Sequence, residues 1–82
     1  MKCYVKGTNG ITIQIEFDEQ TTVLEVKKKV QDLQGTPFYT FMLVFGGKVL
    51  KEDLLLKDYD IGANSTIQCI ENTSGGYFKI NK

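Results

Sequence analysis

Met1-Lys2-Cys3-Tyr4-Val5-Lys6-Gly7-Thr8-Asn9-Gly10-Ile11-Thr12-Ile13-Gln14-Ile15-Glu16-Phe17 opens the chain, and the alternation within it sets the fold. Met1, Cys3 and Val5 alternate with Lys2, Tyr4 and Lys6; beyond Gly10, Ile11, Ile13, Ile15 and Phe17 alternate with Thr12, Gln14 and Glu16. Side chains two apart on a strand share a face, so each half offers one apolar and one polar face. Gly7-Thr8-Asn9-Gly10 between the halves is a turn sequence, and the stretch predicts a β-hairpin. A lone hairpin is marginal in water, so its apolar face needs a cover.

The cover follows at once. Thr22 with Glu25 three residues later forms a capping box and predicts a helix from Val23 to Gln34. Val23, Val26, Val30 and Leu33 recur at helical spacing as its buried stripe. Gly35 suits the residue after the helix, and Pro37 prevents continuation. The run Lys27-Lys28-Lys29 reads as a solvated flank, with Glu25 set to pair with Lys29 and Lys28 with Asp32.

Thr40 to Phe45 then predicts a strand, Gly46-Gly47 a tight turn into Lys48, Val49 and Leu50, and Leu54-Leu55-Leu56 a single helical turn. Tyr59 is placed to anchor the following loop, and Thr66 to Ile70 alternates as a last strand. The order ββαβ, turn, β gives a two-layer α+β domain, a mixed sheet packed on one helix. The expected organisation is a domain over residues 1–72 and a flexible tail over residues 73–82.

Composition narrows the function classes. The 82 residues carry 10 basic and 10 acidic side chains, and all the basic ones are lysine. Nucleic acid and anionic membranes call for clustered positive charge, and arginine is the usual reader of phosphate, so neither is an expected partner. Without histidine, the common general base and metal ligand are missing, and no nucleophile stands with a partner base. Catalysis, metals and cofactors are therefore not expected. Cys3 and Cys69 both fall on apolar sides of strands and read as buried reduced thiols, without a disulfide. No signal-peptide pattern or membrane-length apolar run is present, so a monomer of the cytoplasm or nucleus is expected.

The last two long strands have apolar residues on both sides. If Phe41, Leu43, Phe45, Ile67 and Cys69 face the helix, then Met42, Val44 and Ile70 face away, with Val49 able to extend them. Several apolar side chains on adjacent strands form a patch, which reads either as a contact surface or as a face covered by a loop or the tail.

Over residues 1–76 the chain resembles ubiquitin in ungapped register. The resemblance rests on Val5-Lys6, Gly10 with Thr12-Ile13, Val26-Lys27, Lys29 and Gln31-Asp32. It continues through Gly35, Pro37, Leu43, Phe45, Gly47-Lys48, Leu50, Leu56, Asp58-Tyr59, Ile61, Ser65-Thr66 and Gly75-Gly76. It implies the β-grasp fold and a non-covalent protein-binding patch at Thr8, Val44, Gln68 and Ile70, rimmed by Gly47 and Lys48. Thr8 and Gln68 replace a leucine and a histidine of ubiquitin, while Met42 replaces an arginine and widens the apolar area. The partners implied are ubiquitin-binding-type domains.

The resemblance also implies processing after Gly76 and conjugation of its carboxylate to target lysines, with Lys48 the best candidate chain acceptor. Activating and conjugating enzymes and a processing protease would then be partners too. Glycines lack a Cβ and allow the close approach that a narrow enzyme channel demands. Glu71-Asn72-Thr73-Ser74 departs from ubiquitin's leucine–arginine segment and is similar to the SUMO ending, and Tyr77 to Lys82 follows as in a precursor. The alternatives are a fixed ubiquitin-like docking domain, in which Gly75 and Gly76 belong to a linker, and a β-grasp sulfur carrier with a freed diglycine.

Overall fold

The computed structural model describes residues 1–71, so Gly75, Gly76 and the 73–82 tail lie outside the described residues. Its elements are β1 (Lys2–Lys6), β2 (Thr12–Glu16), α1 (Val23–Gln34), β3 (Phe41–Phe45), β4 (Lys48–Val49) and β5 (Thr66–Glu71). Short 3-10 turns at Phe38–Thr40 and Leu56–Tyr59 complete the fold. The five strands form one mixed sheet in the order β2-β1-β5-β3-β4, with β1 and β5 parallel and the other neighbours antiparallel. This is the mixed sheet on one helix expected from the alternation, and the β-grasp fold that the resemblance implies.

The hairpin forms as its sequence dictates. Gly10 N–H donates to Gly7 O at 3.0 Å to close the turn, and Asn9 Oδ1 accepts from Ile11 N–H at 3.1 Å. Helix α1 begins on the predicted cap: Thr22 Oγ1 accepts from Glu25 N–H at 3.1 Å, and Glu25 Oε1 accepts from Thr22 N–H at 3.0 Å. It ends at Gly35, whose left-handed φ of 75° lets its N–H reach back to Gln31 O at 2.8 Å.

Cys3, Val5, Ile15, Val23, Val26, Val30, Phe41, Leu43, Leu56 and Ile67 make the buried centre between sheet and helix. Each strand contributes alternate residues to it, which leaves the other set on the far face. Cys3 and Cys69 are both buried and free. Val5 is the register partner of Ile67, so Cys3 lies before that pair and Cys69 beyond it. At about 3.3 Å per residue the thiols sit too far apart for a disulfide.

Four expectations are corrected. Leu33 is 63% exposed rather than buried. At about 100° per residue it stands on the margin of the stripe nearest β2, and among the described residues β2 is an edge strand with no further strand to cover that side. The lysine run is not a uniformly solvated, salt-paired flank. Glu25 is committed to the cap, Lys28 lies over the Phe38 ring at 5.9 Å, and Lys27 is buried with its ammonium 2.7 Å from Glu52 Oε2. Among the described residues neither Glu25–Lys29 nor Lys28–Asp32 forms an ion pair. The leucine turn falls later than expected, starting at Leu56, because Leu54 closes the turn from Lys51 and Leu55 runs extended, bridged to Thr22 beside the helix start. There Val23 N–H donates to Leu54 O and Leu56 N–H to Thr21 O. Strand β3 starts at Phe41 because Thr40 closes the preceding turn, its hydroxyl donating to Pro37 O at 2.7 Å.

Candidate functional site: the outward face of the sheet

The expected patch residues come from five places in the chain, and the strand registers decide which of them meet. On the face turned away from α1, Met42 of β3 pairs with Ile70 of β5. Val44 pairs with Gln68 on one side and with Val49 of β4 on the other. Gln68 in turn pairs with Lys6 of β1. The two rows therefore carry Met42, Ile70, Val44 and Val49 as contiguous apolar side chains, with Gln68 between Val44 and Lys6. Directly opposed side chains stand about 4.5–5.5 Å apart at Cβ, close enough to act as one surface.

Exposure on this face rises toward its edges. Met42 and Val44 are half-buried by their neighbours, whereas Ile70 is 44% and Val49 57% exposed. The same strands bury Phe41, Leu43 and Ile67 completely. The patch is thus the second face of strands whose first face is the core.

Two turns frame it. Thr8 is exposed in the β1–β2 turn, and a shallow depression lined by Lys6, Gly7, Thr8, Gln68, Cys69 and Ile70 joins that turn to β5. Gly46 and Gly47 occupy the two-residue turn between β3 and β4 with φ of 60° and 80°. Positive φ at both central positions is the type I′ turn that matches hairpin twist, and it sets Lys48 opposite Phe45. Lys48 is exposed but, as the partner of Phe45 and the neighbour of outward-facing Val49, it stands on the helix side of the sheet rather than at the patch, beside a hollow shared with Asp58, Tyr59 and Asp60. Tyr59 anchors that loop as expected: its hydroxyl accepts from Lys51 N–H at 2.9 Å.

At the rim of the patch Lys6, paired with Gln68, supplies a cation. Beneath it, burial pushes the Cys69 thiol up from its usual range, as it does the Cys3 thiol. Among the described residues no three His, Cys, Asp or Glu side chains gather where they could hold a metal ion. Among the same residues, no helix is long and apolar enough to cross a membrane.

Phe38 and Tyr39, which have no role in the sequence reading, sit between α1 and β3. Their rings meet edge to face at 5.7 Å, and Phe38 N–H donates to Gln31 Oε1 at 2.9 Å. The buried Lys27 escaped the sequence reading as well, although a signal for it existed. Position 27 lies four residues after Val23 and three before Val30, which brings it to the margin of the buried stripe.

Comparison with known proteins agrees with this geometry. The family model described as "Ubiquitin family" matches residues 4–74. The chain is 29% identical over 72 residues to the ubiquitin-like protein NEDD8 of Dictyostelium discoideum, covering 88% of this chain and 94% of that protein. It is 28% identical over 76 residues to the NEDD8-like protein RUB3 of Arabidopsis thaliana, covering 93% of this chain and 97% of that one. It is 40% identical over 68 residues to the probable ubiquitin receptor RAD23 of Oryza sativa subsp. japonica, covering 79% of this chain but only 17% of that receptor. A β-grasp sheet, its cap and turns in place, and a match across residues 4–74 lead to one conclusion: the chain belongs to the ubiquitin family.

Proposed function

We propose that this chain acts by non-covalent protein binding through the outward sheet face, with Met42, Val44 and Ile70 at the centre and Thr8, Gly47 and Gln68 around them. The observation that carries the reading is the pairing of Met42 with Ile70 and of Val44 with both Gln68 and Val49, which makes one apolar surface from three strands. Burying two or three such side chains offers about 1.5–3 kcal/mol each before the costs of association. Contacts of that size are weak and reversible, as suits a tag or docking domain. Catalysis has no part in it, and the working place is the cytoplasm or nucleus.

The chain is further proposed to be a modifier precursor, trimmed after Gly76 and joined through that carboxylate to target lysines, with Lys48 the candidate acceptor in chains. The NEDD8 and RUB3 relatives favour this reading because they match over nearly their whole length and are themselves domain-sized. A fixed docking domain is favoured instead by the rice receptor, in which the match occupies 17% of the protein.

Two measurements test the pair of statements separately. A titration with a ubiquitin-binding domain, followed by amide chemical shifts, should move the signals around residues 42, 44, 68 and 70. The variant Val44→Ala with Ile70→Ala should abolish those shifts while its spectrum stays folded; unimpaired binding by the double variant overturns the patch. Incubation with lysate of the source, read by intact mass, should show loss of Tyr77 to Lys82 and then isopeptide adducts. An unchanged tail assigns the fixed-domain reading.

A further inference from the structure

Strand β2 is the long edge of the sheet, since β4 at the other edge spans only Lys48–Val49. The phase of its ladder follows from two contacts. Phe17 and Met1 exchange backbone hydrogen bonds, Phe17 N–H to Met1 O at 2.7 Å and the Met1 ammonium to Phe17 O at 2.9 Å. At the other end Gly7 N–H donates to Ile11 O at 2.9 Å. In an antiparallel pair such bonded positions recur every second residue, so Ile13 and Ile15 also turn their backbone groups to β1. Thr12, Gln14 and Glu16 turn theirs outward, away from β1.

Edge strands are usually guarded by proline, lysine, a bulge or shortness. This one has no proline, lysine or bulge, and its single charge is the terminal Glu16: Thr12-Ile13-Gln14-Ile15-Glu16 pairs regularly over its five residues. Apolar side chains flank it, with Leu33 63% and Ile11 59% exposed, and a groove between β2 and α1 is lined by Ile15, Lys29, Asp32 and Leu33.

We infer that this edge pairs antiparallel with the same strand of a second copy of the chain, about a twofold axis through Gln14. A twofold interface must be self-complementary, and this edge is. Centred on Gln14, the register sets Thr12 opposite Glu16 of the second copy, Ile13 opposite its Ile15, and the two Gln14 amides opposite each other. No like charges meet directly. The axis stands perpendicular to the sheet, so both helices lie on one face, with each groove's Lys29 and Asp32 available to unlike charges across the axis. Zero net charge removes long-range repulsion between copies. The pairing leaves Met42, Val44 and Ile70 open, since β1 and β5 separate β2 from β3. It therefore stands independently of the binding role given to that face.

Amide hydrogen exchange across a protein concentration series tests it. Protection of Thr12, Gln14 and Glu16 should rise with concentration while Ile13 and Ile15, already bonded to β1, stay constant. Sedimentation should show a monomer–dimer equilibrium over the same range, weakened at least tenfold by Leu33→Lys, a surface change that leaves the fold intact. With Gln14→Cys, mild oxidation should give a disulfide-linked dimer faster than with the exposed control Asp53→Cys, because cross-strand Cα atoms at about 5.5 Å suit the bond. A chain that stays monomeric, with concentration-independent exchange at residues 12, 14 and 16, overturns the proposal. So does pairing of β2 with an added apolar peptide strand while no dimer forms.

Discussion

The Lys27 ammonium lies 2.7 Å from Glu52 Oε2 and 5.6 Å from the centre of the Phe41 ring, with the lysine side chain buried and the glutamate half exposed. It ties the first half of α1 to the segment leading into the leucine turn, where Leu24 N–H also donates to Glu52 O at 3.2 Å. A buried charge is tolerated only when paired, and the bond to Glu52 fills that need.

Removing the acid should therefore cost more than removing the pair. Glu52→Ala leaves a buried ammonium and should lose about 1.5–3 kcal/mol in urea unfolding, whereas Lys27→Met should cost less because it substitutes apolar volume. Lys27 should also be the slowest lysine to acylate in the native protein, measured by peptide mass spectrometry after limited labelling. Equal labelling of Lys27 and Lys48 would contradict the burial.

The thiols give a pH prediction. Burial holds the Cys3 and Cys69 thiols above their ordinary 9.0, so the folded chain keeps protons that the unfolded chain sheds. Their contribution is therefore fully present below about pH 9 and is lost as pH rises toward the folded values. Urea midpoints should fall between about pH 8 and 10 more steeply in the native sequence than in a Cys3→Ala, Cys69→Ala variant. Alkylation should be slow in the folded state and take up two equivalents on unfolding without reductant.

Local chemistry made most of the fold legible. Period-two alternation located the hairpin, Thr22 and Glu25 marked the start of α1, and Gly35 marked its end. What the sequence could not supply was the third dimension around the helix. Leu33 and Lys27 both lie near margins of the buried stripe, and their fates depend on what stands opposite. Leu33 faces the side with no described strand beyond β2, while Lys27 meets Phe41 and Glu52. The outward patch was legible by alternation, yet its continuity rests on the register of β3 against both β4 and β5, which joins residues far apart in the chain.

Gly35 sits at φ 75° with open space where a Cβ would stand. Gly35→Ala should thus lose only the backbone term, about 1–2 kcal/mol, with no packing cost. Thermal unfolding should show a lowered midpoint with an unchanged native spectrum beyond the end of α1.

Neighbours on β3 should respond oppositely to truncation. Leu43 is fully buried between sheet and helix, so Leu43→Ala should cost about 2–5 kcal/mol in urea unfolding through lost burial and the cavity left behind. Val44, one residue on, faces away and is half-buried, with Gln68 and Val49 as its register partners. Val44→Ala should cost under about 1 kcal/mol, and Ile70→Ala, at 44% exposure, no more. The contrast bears on function, because a face open for binding gains nothing from its apolar side chains in the free protein. A Val44→Ala cost as large as that of Leu43→Ala would mean that another part of the chain covers the face. Small costs at 44 and 70, with binding lost in the same variants, would assign those side chains to partners rather than to stability.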